Sequence, residues 1–241
     1  MLEPYCGPAP DAETLFSAWN FDPALIIVTA GSLFALHRAQ PHLRAWLTYP
    51  LAVALVIAFI SPLCALTTAL FSARAVHHIL IGSIAASMIA LMLPGRWGVI
   101  AKVPAEAVFL LHTVIYWLWH IPVSYDFALS GSWQYWLMQI AFIMASVWLW
   151  WLILADRISV FSALGLTVGT MFQMGFLAAI LTFAPYPIFE AHFAKTEAFG
   201  LSPLEDQQVA GVLMWTIGIA PYAIATLWLV YTRLMSPAAE R

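Results

Sequence analysis

The residues able to do chemistry in this chain are few, and most are histidines. Of seven, His77, His78, His112 and His120 fall within otherwise apolar runs. Imidazole is a common ligand for copper, zinc and iron, and ionisable residues inside a membrane are costly and often functional. On a helix, His77 and His78 point about 100° apart, so only one faces a given partner squarely. Arg74 and His78 are four apart and share a face, where a guanidinium opposes a metal cation unless it snorkels outward. His120 lies at the same end of its run as His77 and His78. His112, eight residues earlier, is about 12 Å deeper by helical rise and is expected to miss that site unless its helix bends. Interfacial hydrogen bonding is the alternative role for each. Soft ligands are also present: Met88, Met92, Met138, Met144, Met171, Met174 and Met214 lie in the same kind of run. Thioether suits Cu(I), although packing is the commoner use of methionine. His37 and His42, in the first polar connection, read as solvated.

The elements that must position these residues follow from composition. The chain has 241 residues, of which 63% are hydrophobic and 9% charged. Soluble domains carry about 25% charged residues, so the bilayer is the solvent for most of this chain. A hydrocarbon core about 30 Å thick needs roughly 20 apolar residues per helix. That ruler gives seven runs: Pro23–Leu36, Trp46–Phe71, Ala75–Leu93, Pro104–Ile121, Trp133–Ala155, Val160–Ala184 and Gln207–Tyr231. The expected fold is an all-α integral membrane protein, a bundle of seven transmembrane helices. Residues 1–18 read as an acidic extracytoplasmic tail, 19–233 as the transmembrane domain and 234–241 as a cytoplasmic tail.

Orientation follows from Lys and Arg. Arg38, Arg44, Arg96, Lys102, Arg157, Arg233 and Arg241 share one side, against Arg74 and Lys195 on the other. This puts the N-terminus outside and the C-terminus in the cytoplasm. Glu3, Asp11, Glu13, Asp22, Asp126, Glu190, Glu197, Glu205 and Asp206 collect on the outer side. Such a face attracts cations or a basic partner, or is simply solvated. Trp19, Trp46, Trp97, Trp133, Trp136, Trp150 and Trp151 form the aromatic belts of a membrane bundle.

Further positions carry local structural signals. Ser61-Pro62 and Pro221 are expected to kink their helices. Ser202–Asp206 reads as a helix N-terminus, where acids are favoured. Gly165 and Gly169 form a weak GxxxG packing signal. Cys6 and Cys64 are far apart and Cys64 sits in an apolar run, so no disulfide framework is expected. The N-terminus lacks the basic region of a cleavable signal peptide. No phosphate-binding loop, GxSxG, CxxCH or HExxH is present, and no basic aromatic patch suggests nucleic acid. An ordinary hydrolase or NTPase is not supported. A transporter or channel has little support from the few midplane charges, though Pro221 and Gln173 leave room for one.

The stretch Gly200–Trp215 (GLSPLEDQQVAGVLMW) resembles the signature of the multi-spanning CtaG-type assembly factors for haem–copper terminal oxidases. Weaker matches follow in order: Trp19–Pro23, Ser61-Pro62-Leu63, Leu70–Ala73 leading to His78, and Trp119–Pro122 with Tyr125-Asp126. The resemblance implies a non-enzymatic assembly factor in a bacterial plasma membrane, often discussed in connection with copper delivery. Its expected partners are the oxidase catalytic subunit, a periplasmic copper carrier and membrane lipids. Copper is expected as a transient ligand, with His78 and His120 as first ligands and His77 as a third. Asp206 and Asp126 would tune charge at the same mouth, and Trp119 and Gln207 would shape it. Arg74 stands where the family commonly has histidine, His77 where it has glutamine, and Gln139 where a histidine is common. A metal-free scaffold for a nascent subunit is the alternative, and a haem-binding protein using His112 or His120 is a further one.

Overall fold

The computed structural model describes residues 4–39, 44–93 and 102–235. Readings that rested on Glu3, His42, Arg96, Trp97 and Arg241 lie outside the described residues. Within them the chain is helical, with no strand. The helices are α1 Pro23–Ala39, α2 Trp46–Ile60, α3 Pro62–Ala69, α4 Phe71–Met92, α5 Ala105–Leu118, α6 Pro122–Leu129, α7 Ser132–Leu154, α8 Val160–Phe183 and α9 Pro203–Met235.

Four of these, α4, α7, α8 and α9, are long and apolar enough to cross a membrane. Two bent pairs make it up to six if each counts as one span: α2 with α3, at 45°, and α5 with α6, at 76°. α1 is apolar but shorter. The seven runs read from composition thus resolve into four long helices, two broken ones and one short one. α4 lies at the centre, against α2, α3, α7 and α9, and α8 closes the bundle between α5, α7 and α9.

The two bends have local causes. At Ser61 the chain is extended, the Ser61 hydroxyl accepts from the Leu63 amide, and Pro62 opens the next helix. This is the kink expected there, and proline at a first helical position lacks only an amide that would be unpaired anyway. Between α5 and α6, Ile121 is extended before Pro122, as the ring of a following proline requires. Pro221 lies within a helix that it does not end. The turn before it, Met214–Gly218, widens into a π-helical segment, and α9 continues as a single 33-residue helix. The wider turn lies where the proline lacks its amide donor, and the helix continues past it.

The third break carries no proline or glycine. α3 ends and α4 begins at Leu70, which is extended (φ −118°, ψ 132°). The last turn of α3 holds two threonines whose hydroxyls donate to carbonyls three residues back, Cys64 and Ala65. Such back-bonding weakens a helix end. The second apolar run therefore stops at Ala69, and the third helix starts at Phe71, four residues before the hydrophobicity ruler placed it.

Residues 4–22, which include most of the tail expected over 1–18, pack against the bundle. Tyr5 stacks on Tyr135 (4.9 Å between centroids) and donates its hydroxyl to Asp22 (2.7 Å), which holds the Asp22 carboxyl below its ordinary pKa. Asn20 donates its backbone and side-chain amides to the Ile60 and Phe59 carbonyls. Cys6 and Cys64 are joined in a disulfide, contrary to the sequence expectation. Their separation of 58 residues hides a proximity that appears only when the N-terminal segment folds back onto α3.

Helix packing uses a glycine that the GxxxG reading did not single out. A Cβ on Gly165 would meet nothing within 4 Å, and one on Gly169 would touch only the Phe109 ring. A Cβ on Gly211 would lie 2.7 Å from the Ala178 backbone carbonyl, so α8 and α9 approach backbone to backbone there. Gly211→Ala is expected to push the two helices apart and cost about 1–3 kcal/mol, read as a lowered thermal midpoint of the detergent-purified protein. Gly165→Ala serves as a near-neutral control.

Candidate functional site

The end of the bundle carrying the disulfide also carries the candidate residues, and the break at Leu70 organises them. A helix N-terminus leaves amides unpaired, and a C-terminus leaves carbonyls. Leu70, the N-cap of α4, has no side chain able to cap. The cap comes from α9: Asp206 accepts from the Phe71 amide (2.6 Å), the Ser72 amide (3.1 Å) and the Ser72 hydroxyl. Asp206 is fully buried, and a carboxylate at a helix N-terminus is doubly favoured, by charge-assisted bonds and by the dipole.

The facing carbonyls of α3 receive three donors. Arg74 Nη2 donates to Thr67 O (3.2 Å), Lys195 Nζ to Thr68 O (3.1 Å) and His192 Nδ1 to Ala69 O (3.0 Å). Because that ring nitrogen donates, His192 Nε2 accepts, and its partner is the Tyr125 hydroxyl (2.7 Å). Arg74 also lies over the Tyr135 ring (5.6 Å), while its Nε and Nη1 have no hydrogen-bond partner. The two cations read as the outer side's exceptions are thus placed in the junction itself. His192 did not stand out in the sequence, because a lone loop histidine gives no signal until its partners, 67 and 123 residues away, are known.

The glutamine of the signature is also structural. Gln207 Oε1 accepts from the Ile188 amide (2.7 Å), and its Nε2 donates to Leu181 O (3.3 Å), tying the connection after α8 to α9. Ser202 and Glu205 form the reciprocal N-terminal cap of α9, as the sequence indicated. Asp206 and Gln207 face no open mouth. Asp126 is exposed and lines a surface groove with Glu190 and Lys195, apart from His78, His112 and His120. Trp119 is buried with its indole nitrogen unpartnered.

The histidines divide. His78, His112 and His120 line one internal cavity of about 20 Å3, room for one water-sized occupant. His77 is not among its lining residues; it is fully buried with its ring edge-on to Phe59 (5.2 Å), and neither ring nitrogen has a partner. His112 was expected to miss the site, but it lines the same cavity as His78 and His120. His112, Tyr116 and His120 follow at four-residue intervals, with ring centroids 6.1 and 4.7 Å apart. The His78 and His120 rings are 6.1 Å apart. His120 Nδ1 donates to Tyr116 O (2.7 Å), which leaves Nε2 as the lone-pair nitrogen. His78 Nε2 and His112 Nδ1 are buried without partners. Among the described residues, no three His, Cys, Asp or Glu side chains are close enough to hold a metal ion by themselves.

The backbone around the cavity is irregular on two sides. Leu80–Ala85 of α4 is π-helical and supplies Gly82 and Ser83, and Met214 opens the π-segment of α9. π-turns are frequent at functional sites. The Gly82 carbonyl accepts from Trp150 Nε1 (3.1 Å). A Cβ on Gly82 would lie 2.6 Å from the Phe142 ring, which also lines the cavity. Gln139, at the position where a histidine was expected from the resemblance, is fully buried on α7, and neither end of its amide has a partner.

Removing the cap should expose its importance. Asp206→Ala leaves two buried amides and a hydroxyl unpaired and is expected to cost about 1–3 kcal/mol or more, seen as loss of folded protein or a lower thermal midpoint. His192 gives a pH dependence. Burial holds its pKa near 3, against an ordinary value of 6.5. A depressed histidine pKa means that the unfolded chain takes up the proton first. Its stabilisation is complete above pH ~6.5 and falls as the pH drops from there toward 3. The thermal midpoint should therefore decline between pH 7 and 5, and His192→Gln should reduce that decline.

Comparison with known proteins yields one match. No curated protein and no solved structure matches the chain. A family signature matches residues 30–235, far more than half of the chain, and its description is cytochrome c oxidase caa3 assembly factor. This bears out the resemblance read from Gly200–Trp215. The chain belongs to the cytochrome c oxidase caa3 assembly factor (Caa3_CtaG) family.

Proposed function

We propose that this protein assists assembly of a copper-containing terminal oxidase by holding copper in the cavity lined by His78, His112 and His120, and that it does so as a carrier rather than as an enzyme. The observation that carries this reading is the convergence of three histidines on one buried cavity, with unpartnered nitrogens on His78 and His112. The fixed tautomer of His120 adds to it. Metal-binding histidines characteristically donate their other ring nitrogen to a carbonyl or carboxylate. An incomplete set of ligands suits a carrier, which must release its cargo to a partner. A cavity of about 20 Å3 leaves a porphyrin no room, which counts against haem.

In this reading the chain spans a bacterial plasma membrane seven times, with α1 as the first span and each bent pair as one. The histidine end faces outward. Two independent features support that direction: the excess of Lys and Arg at the opposite end, and the Cys6–Cys64 disulfide, since disulfides persist in oxidising compartments. The partners are the oxidase catalytic subunit and a periplasmic copper carrier.

A metal-free scaffold is the second reading. It is favoured by Asp206, Gln207 and Arg74, whose polar atoms serve the helix junction and the connection after α8 rather than a ligand. Deleting the gene and measuring haem and copper in the oxidase separates the two. Copper delivery predicts an oxidase that keeps its haem and lacks copper, and the same defect for His78→Ala with His120→Ala. Loss of the whole subunit on deletion, with normal assembly in the histidine variant, would establish the scaffold.

A further inference from the structure

We infer that the cavity selects a cuprous ion and that the thioethers of Met174 and Met214 complete its ligand set; this rests on the copper-carrying reading above. Hard and borderline donors alone do not make a site among the described residues. The cavity is nevertheless lined by Met174 from α8 and Met214 from α9, together with His78 of α4, His112 of α5 and His120 of the turn after α5. Both methionines are almost fully buried, with 4% and 3% exposure. Thioether and imidazole together favour Cu(I) over Zn(II).

Charge points the same way. No carboxylate lines the cavity. Arg74, one turn before His78 on α4, is buried without an ion-pair partner among the described residues. A divalent ion would bring two uncompensated charges into that low-dielectric interior, and a monovalent ion only one. The cavity also has no space for a hydrated divalent ion. Binding requires no redox step. The thioethers carry no proton, and the neutral imidazoles offer lone pairs without losing one. The π-segment that begins at Met214 sets that side chain at an irregular turn of α9 beside the cavity.

The test uses the full chain, purified in detergent without oxygen. Cu(I) is supplied from its bicinchoninate complex and Zn(II) from its chloride. The expected result is one Cu(I) per chain, no stoichiometric Zn(II), and sulphur in the copper coordination shell by X-ray absorption. Met174→Leu with Met214→Leu, which conserves volume, should weaken Cu(I) binding by about tenfold or more with an unchanged circular dichroism spectrum. A wild-type copper spectrum without sulphur overturns the inference even if the double variant fails to fold. Equal Cu(I) affinity in a folded double variant overturns it as well, as does Zn(II) binding of equal strength. Should the chain bind no Cu(I) while its deletion still leaves an oxidase with haem and no copper, this inference fails and the assembly role stands. Normal oxidase copper after deletion, together with sulphur-ligated Cu(I) in the pure protein, would instead fail the delivery reading and leave the site.

Discussion

The structure depends on the helix junction at Leu70. Breaking a helix inside an apolar bundle leaves polar backbone groups with no water to satisfy them, which costs several kcal/mol per group. Here the amides on one side are taken by Asp206, and the carbonyls on the other by Arg74, Lys195 and His192. Those four residues come from α4 itself, from the connection after α8, and from α9. Satisfying one junction therefore fixes the positions of two distant segments, the connection after α8 and the start of α9. It also sets where α4 starts, and so the height and rotation of His78 within the bundle.

This explains how the family signature can be specific without being a ligand set. Its cap at Ser202–Glu205 starts α9, Asp206 closes the junction, and Gln207 secures the connection before it. Gly211 then lets α9 lie directly against α8, and Met214 opens the π-segment beside the cavity. Five features within thirteen residues each serve the approach of α9 to α4 and α8. The histidine cavity is the space that remains once these contacts are made. Arg74, which weakened the expectation of a ligand cluster, has a positive role here as a donor to the end of α3.

Much of this was legible in the sequence, and the rest was hidden for definite reasons. Apolar runs marked the helices because bilayer thickness imposes a length. Ser61-Pro62 and Ser202–Glu205 marked their helix starts because those effects are local. The pairing of His78 with His120 followed from helical depth. The break at Leu70 was invisible because its cap lies 135 residues away. The disulfide was invisible because an acidic, proline-rich segment gives no sign of folding back. His112 was misplaced because helical rise alone does not show that large side chains one and two turns apart, with Tyr116 between them, can line a single cavity. The π-segment before Pro221 was invisible because an extra residue in a turn leaves no mark in the order of apolar residues.

The junction also bears on how the chain is made. Phe71 and Ser72 are synthesised and inserted long before Asp206, the group that satisfies them. Through the insertion of α4 to α8, the growing chain holds two open amides at the start of α4. The α3 carbonyls are met earlier, by Arg74 of α4 and by Lys195 and His192 of the connection after α8, and only α9 closes the amides. An intermediate lacking α9 is thus chemically distinguishable from the finished protein, by the unpaired amides at the start of α4. Completion of this bundle is signalled from its far end, by a single aspartate.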